Sequence, residues 1–378
     1  MTGPDERPDA PETEGVVELD VAADPERTAA GQAGGEIVVT ATPDVPAPAA
    51  SARRSPTRAW TFWVARRLGM AVLTLWLVSI IVFFATSALG DPVRAILGKD
   101  YAVSPERVAA IRAALHLDQP LLQRYFTWLG GLLRGDPGTS VANGLPVGEL
   151  IGDKVANSAF LVLVTAIVMI PLSLGLAMWS ARGRGGVVDN VIQTITLALA
   201  GVPEFVTGIL LVALLSTGVF HLLPAVTVLP VGVAPWQRPS SIVLPVLTLV
   251  IAVVPYLTRI LRSNLVETLD SEYVELARLK GVPEGLVMRR HTLPNTIVPT
   301  IQVTALQLAW LVGGVVLIEY LFNYPGIGAA LVDSVRNSDF PMVQALSMII
   351  ATAYILVNLV ADVLSILFTP RARTGMVG

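Results

Sequence analysis

The 378-residue chain has no cysteine and three histidines, and only 15% of its residues are charged. The missing cysteines exclude disulfide frameworks, thiolate metal sites and cysteine nucleophiles, and they leave the redox compartment open. His116, His221 and His291 lie far apart with no metal-ligand spacing, which disfavours a metalloenzyme. Lysine is equally scarce. A phosphate-binding loop needs a glycine-rich turn ending in Gly-Lys-Ser/Thr. Lys99, Lys154 and Lys280 precede Asp100, Val155 and Gly281, so none fits, and any ATP-driven step needs another chain.

What the chain has instead is apolar bulk, with 53% hydrophobic residues. The exception is residues 1–58, rich in Ala, Pro, Glu and Asp and nearly free of aromatic or periodic apolar content. They cannot bury enough surface to offset chain entropy and read as a disordered acidic tail. The run Glu36-Ile37-Val38-Val39-Thr40 has strand propensity but no partner nearby. No secretory signal is expected, because the first apolar segment begins about 65 residues in and is too long for one. The net charge of −3 hides a split: residues 1–50 hold 11 acidic and 2 basic residues, leaving a body with net charge +6.

A membrane-spanning helix needs about 20 apolar residues. Uncharged stretches of that length run from Leu68 to Gly90, between Lys154 and Arg182 (with Pro171 inside), and from Asn190 to Phe220. Three more lie between Arg238 and Arg259, His291 and Glu319, and Asp339 and Asp362, the last extending toward Phe368. The third is interrupted by Gly201-Val202-Pro203-Glu204 and reads as one kinked span or two short ones. Charge decides the count. With six spans and both ends cytoplasmic, Arg66, Arg67, Arg182, Arg184, Arg259, Arg262, Arg278, Lys280, Arg289 and Arg290 all fall inside. The two short outer loops then keep only Arg238 and Arg336. Seven spans would divide the basic flanks between the two sides, against the positive-inside rule.

The sizeable outer segment, residues 91–156, carries seven basic and seven acidic residues. Ser104-Pro105-Glu106 predicts a helix to about Leu117. Asp118-Gln119-Pro120 restarts a second, whose Leu121, Leu122, Tyr125, Phe126 and Leu129 form an apolar stripe at helical spacing. The segment is a helical cap on the spans, a surface for an external partner (Asp118, Pro120, Tyr125 and Trp128 being the candidates), or both.

The basic stretch between the fourth and fifth spans (residues 263–294) is the most informative. Asp270 or Ser271 can cap a helix, Glu272 and Glu275 suit its N-terminal end, and Arg278 and Lys280 its C-terminal end. Gly281 supplies a left-handed stop and Pro283 a second start. Tyr273, Leu276, Ala277 and Lys280 share one semi-apolar face, with a small residue where a partner could approach closely. Such a helix lies on the lipid interface or sits in a protein groove.

The spacing Glu275-x-Ala277-x3-Gly281-x9-His291-x-Leu293-Pro294 resembles the EAA motif of permease subunits of binding-protein-dependent ABC importers. The chain departs from it at Leu276, where a second Ala is frequent, and at His291, where Ile is. Gly90-Asp91-Pro92, Leu117-Asp118-Gln119-Pro120-Leu121 with Tyr125 and Trp128, and Gly135-Asp136-Pro137-Gly138-Thr139-Ser140 look like the outer region of the dipeptide/oligopeptide/nickel branch. Phe322-x-Tyr324-Pro325-Gly326-Ile327-Gly328, Asp339-Phe340-Pro341, Asn358-Leu359-x-x-Asp362 and Thr369-Pro370-Arg371-x-Arg373 look like its C-terminal third. The likeness covers about residues 60–374 and leaves the tail unaccounted for.

The resemblance implies an all-α integral membrane fold with six transmembrane helices of the type I importer permease kind, within residues 59–374. It implies a coupling role for Glu272, Tyr273, Glu275, Leu276, Ala277, Lys280, Gly281, Leu293 and Pro294. The implied partners are a second homologous permease, two ATP-binding subunits (or one fused or dimeric pair) carrying ATP and Mg, and an external substrate-binding protein, in a lipid bilayer. The implied cargo is di- or oligopeptides, with nickel or a solute such as glutathione as alternatives. No covalent catalysis, cofactor or metal on this chain, and no nucleic acid, is expected. A non-transporting scaffold or receptor is the reading from another class. Independently of family, a charge inside a span is a functional candidate because its burial is costly. Glu204 in the broken segment is the best one, its alternative being pairing with a basic neighbour or reaching the interface. Glu319 and Asp362, at span ends, read as interfacial, and Trp60, Trp63, Trp179 and Trp236 as interface anchors.

Overall fold

The computed structural model describes residues 56–88, 106, 112, 118–230 and 232–368. Nearly all of the acidic tail and of the helix expected from Ser104 to Leu117, and all of the Thr369–Arg373 motif, lie outside these residues.

The described chain is almost entirely helical. The elements are α1 (Pro56–Ala88), α2 (Leu121–Leu133), α3 (Val147–Arg182), α4 (Val187–Ala200), α5 (Glu204–Val212), α6 (Val243–Leu269), α7 (Glu272–Leu279), α8 (Glu284–Leu286), α9 (Leu293–Leu321), α10 (Ile327–Arg336) and α11 (Phe340–Phe368). Helices α1 and α3 begin well before the apolar runs that identify them. Charge at Arg66, Arg67 and Lys154 limits insertion into lipid but is no obstacle to helix. Pro171, Pro255 and Pro299 lie within α3, α6 and α9, as spans tolerate when neighbouring helices compensate for the lost bond.

Among the described residues five helices are long and apolar enough to cross a membrane, and α4 with α5, bent by 98° across Gly201-Val202-Pro203, makes a sixth crossing if the pair is one span. Packing decides how to count it. Phe160, early in α3, meets Trp236 just before α6, with ring centroids 5.5 Å apart. Ser180, late in α3, accepts from Nε of Arg262, late in α6, at 3.1 Å. Helices α3 and α6 therefore run parallel, and the chain between them must return through the bundle. Asp189 of α4 lies at the α3 and α6 C-terminal ends, whereas Gly208 of α5 lies against Leu321 and Phe322 at the opposite end. The broken pair thus traverses the bundle once, giving six traversals. Helices α1 and α11 are antiparallel: Arg67 pairs with Asp362, and Gln344 donates to Thr86 at 2.8 Å.

The α3 face against this core repeats at helical spacing and is rich in small residues: Ser158, Leu161, Thr165, Met169, Ser173, Ala177 and Ser180 are all buried. Where lipid removes the hydrophobic driving force between helices, small residues permit the close packing that holds them. The middle of the core is Leu161 and Met169 with Leu244–Val254 of α6 and Leu311–Ile318 of α9. One end gathers Ala177, Ala181, Leu257–Leu269, Val274, Val287 and Met288. The other gathers Val147, Ile327, Ala330, Met342, Ala345 and Leu346. The first end carries Arg182, Arg184 and the 259–291 arginines, and is called the basic end below.

Candidate functional site

At the basic end, α6 runs without a loop into a helical hairpin. Ser271 occupies the cap position of α7, but its hydroxyl turns back to the Thr268 carbonyl instead of capping the new helix. Glu272 and Glu275 fall in the first turn and Arg278 in the last, the favourable order for the helix dipole. Gly281, at φ +78°, closes α7 in a Schellman arrangement. Its N–H donates to Arg278 at 2.9 Å, and the Val282 N–H donates to Ala277 at 3.2 Å. Pro283 sits at the cap of α8 rather than inside it.

The hairpin is clamped by charge. Arg278 Nε donates to Glu284 Oε1 at 2.7 Å, and its Nη1 to the Leu269 carbonyl at 3.1 Å, tying together the ends of α6, α7 and α8. The Glu284 hydrogen bond raises the Arg278 guanidinium above its already high ordinary pKa. Arg184 meets Asp270 at 2.6 Å. Deeper in, Asp189 is 3% exposed and accepts from Arg262 Nε and Nη2 at 2.7 and 2.5 Å, from Ser180, and from the Gly185 N–H. A widened turn at Val287–Thr292 leads into α9. Pro294, in the first turn of α9, has no N–H for the carbonyl four residues back, and its ring needs room there.

The coupling candidates divide by face. Glu272, Tyr273, Glu275, Leu276, Lys280, Gly281 and Pro294 are exposed, and Leu293 is half-buried. Leu276 and Leu279 are 56% and 77% exposed, an apolar pair no described residue covers. Ala277 departs from the expected partner-facing position: it is buried with Val274 on the inner stripe, where its small side chain lets α7 lie close to the core.

At the opposite end two expected partner contacts are inward too. Tyr125 is buried, its hydroxyl 2.9 Å from Ser79 of α1 and its ring 5.5 Å from Phe83. Trp128 is 5.6 Å from the same Phe83. Both dock α2 onto α1, while Asp118 and Pro120 remain exposed. The stripe therefore divides, with Tyr125 buried and Leu129 half-buried against the bundle while Leu121, Leu122 and Phe126 stay exposed.

Glu319 is the largest departure, since it is fully buried rather than interfacial. Its carboxylate accepts from the Ser158 hydroxyl and from the Gly328 and Ala329 N–H groups at 2.7 and 3.3 Å. It thereby caps α10, an element for which the spans gave no signal. A side chain at Gly326 would meet the Glu319 carboxylate, and one at Gly328 the Val316 backbone. Ser158 in turn accepts from the Ile327 N–H at 2.8 Å, and Asn157 donates to the Pro325 carbonyl at 2.9 Å and accepts from the Tyr324 hydroxyl at 2.7 Å. Burial, with Glu319 nearby, pushes the Tyr324 phenol up, so it serves as a neutral donor. Asp339 accepts from Ser140 and from the Val141 N–H. The Tyr-Pro-Gly-Ile-Gly motif thus forms a polar seat at the start of α10, and the Asp-Phe-Pro motif anchors the chain just beyond its other end. The signal for the seat was an acid beside two closely spaced glycines.

Asp362 pairs with Arg67 near the bundle surface. Glu204 is half-buried at the start of α5, and among the described residues it has no ion-pair partner. No group of acidic, His or Cys side chains among the described residues could hold a metal ion.

Two family models match the chain. The "binding-protein-dependent transport system inner membrane component" covers residues 173–374, and the N-terminal component of the same transport-system membrane proteins covers residues 60–176. A "probable peptide ABC transporter permease protein" of Sinorhizobium fredii is 32% identical over 313 residues, covering 82% of this chain and 99% of that protein. A "glutathione transport system permease protein" of Salmonella choleraesuis is 34% identical over 312 residues, 82% of this chain and 98% of that protein. The protein of that name in Escherichia coli K12 is 32% identical over the same length and shares.

Proposed function

The chain belongs to the binding-protein-dependent transport system inner membrane component family and is a multi-pass membrane permease; on that premise we propose that it forms half of the translocation pathway of a peptide importer. The other half comes from a second homologous permease. Two ATP-binding subunits, carrying ATP and Mg, dock on the α7–α8 hairpin, and an external substrate-binding protein delivers cargo to the opposite end. Both termini and the basic end then face the cytoplasm, as the positive-inside rule requires of its arginines.

The observation that carries this reading is the hairpin: it is clamped to three helix ends but presents Leu276 and Leu279 uncovered beside Glu272 and Glu275. An apolar helix face with an acidic border suits a groove on a soluble partner. A rigid hairpin also transmits that partner's motion into α6 and α9. Such a change needs only different contacts in two states. Short peptides are the cargo we assign, following the name of the Sinorhizobium relative. Glutathione, itself a tripeptide, is the narrower reading favoured by the other names.

Co-purification from membranes tests the assembly. The importer reading expects stoichiometric recovery of a second permease and ATP-binding subunits, with ATP hydrolysis stimulated by loaded binding protein. Recovery of the chain without any ATPase would favour a scaffold or receptor instead.

A further inference from the structure

A cavity of about 570 Å³ opens at the end opposite the basic one, between α5, the last turns of α9, and α10. Its floor is apolar, from Phe205, Ile209 and Leu317, and its rim carries Tyr320, Asp333 and Arg336. Phe205 follows directly on Glu204, the candidate acid of the broken span, and Ile209 lies about one turn further along α5. The volume falls in the range of sites for small molecules.

The rim has one charge of each sign, three residues apart on α10, a spacing at which opposite charges ordinarily pair. They do not pair here. Arg336 lies over the Tyr320 ring, 4.9 Å from its centroid. Asp333 has no ion-pair or hydrogen-bond partner for its side chain among the described residues. The helix that carries both charges is itself fixed in place. The opposite face of α10 is buried through Ile327, Ala330 and Ser334, and its N-terminus is locked by Glu319. Side chains three apart on a helix are about 5–6 Å apart at Cβ, and an extended residue adds about 3.5 Å. The free ends of a short peptide carry opposite charges and lie about 7 Å apart in a dipeptide and about 10 Å apart in a tripeptide, so they meet the two groups when the Asp333 and Arg336 side chains splay apart.

We infer that this groove is a subsite for a short zwitterionic peptide, with Asp333 receiving its α-ammonium group, Arg336 its α-carboxylate, and the α5–α9 floor its side chains. The inference rests on the peptide reading above and sharpens it. The carboxylate draws on the bidentate reach of arginine. The apolar floor asks for little side-chain specificity, which suits a permease passing many peptides.

The test measures binding of trialanine, N-acetyl-trialanine and trialanine amide to the purified permease–ATPase assembly in nanodiscs without binding protein. Wild type is expected to prefer free trialanine about tenfold over each blocked form, the scale of one hydrogen bond to a charged group. Asp333→Asn should abolish the preference over the acetylated peptide alone, and Arg336→Gln the preference over the amide alone. Arg336→Lys should retain most of it. Equal binding of the three peptides by wild type, or variants that keep both preferences, would overturn the subsite. So would variants that lose only stimulation by the binding protein, because the two charges would then be a docking contact. If wild type still imports trialanine in any of these cases, the peptide reading survives without the subsite. If wild type neither binds nor imports peptides, both fall.

Discussion

The two ends of the bundle are built on opposite plans. At the α10 end, one set of buried polar groups is mutually satisfied: Glu319, Ser158, Asn157, Tyr324 and two glycine-permitted approaches close on one another. At the basic end, apolar side chains stand exposed while exposed charges do the tying, as in Arg184–Asp270 and Arg278–Glu284. A buried polar network costs heavily when half-satisfied and therefore fixes one geometry. Exposed ion pairs contribute about 0–1 kcal/mol each and leave a surface free to meet something else. The motifs at one end thus maintain a shape, whereas those at the other present one.

The largest expected effect is at the seat. Gly328→Ala would place a Cβ against the Val316 backbone, which cannot rotate away, so the loss should reach or exceed the upper end of the about 1–3 kcal/mol typical of overpacking. A fall of the thermal unfolding midpoint in detergent, with lost assembly, is the expected readout. An unchanged midpoint would remove the contrast between the ends.

Next is the Asp189–Arg262 pair, the most buried one at the basic end among the described residues. Arg262→Leu strands Asp189, and breaking a fully buried pair costs about 3–5 kcal/mol. Because Arg262 keeps 23% of its side chain exposed, a smaller loss of about 2 kcal/mol is expected. Adding Asp189→Asn should recover part of it, and a double variant no better than the single would show that the pair is not the cause.

The smallest effect on stability is expected at the hairpin face. Leu276→Asp and Glu275→Arg alter exposed positions and should shift stability by no more than about 0.5 kcal/mol. Peptide uptake should nonetheless fall and ATP hydrolysis lose its dependence on loaded binding protein. Full coupled uptake by both variants would make the hairpin an inert loop.

Much of this was legible in the sequence for reasons of solvent and geometry. Uncharged runs mark the spans because lipid excludes charge, and the charge split marks which ends lie together. Gly281 was legible because few other residues accept its φ. What sequence could not supply was the partner of each buried face. The helical stripe through Tyr125 says that one side is covered, without saying that α1 covers it, and Ala277 has a size but no direction. Glu319 sits at the edge of an apolar run, where an acid facing solvent and one capping a helix read alike. The interruption at Gly201-Val202-Pro203 showed a break; its right angle comes from tertiary packing.

The parallel course of α3 and α6 bears on how the chain comes to be made. These two helices pack more extensively than any other described pair, yet about 60 residues separate the end of one from the start of the other. Their pairing has high contact order and waits on non-local closure. During synthesis α3 enters the bilayer with its row of serine, threonine and alanine unmatched, and the broken α4–α5 segment must cross before α6 can cover it. Hydroxyls that bond back to their own helix, as Thr165 does to Leu161 at 2.8 Å, make that wait tolerable.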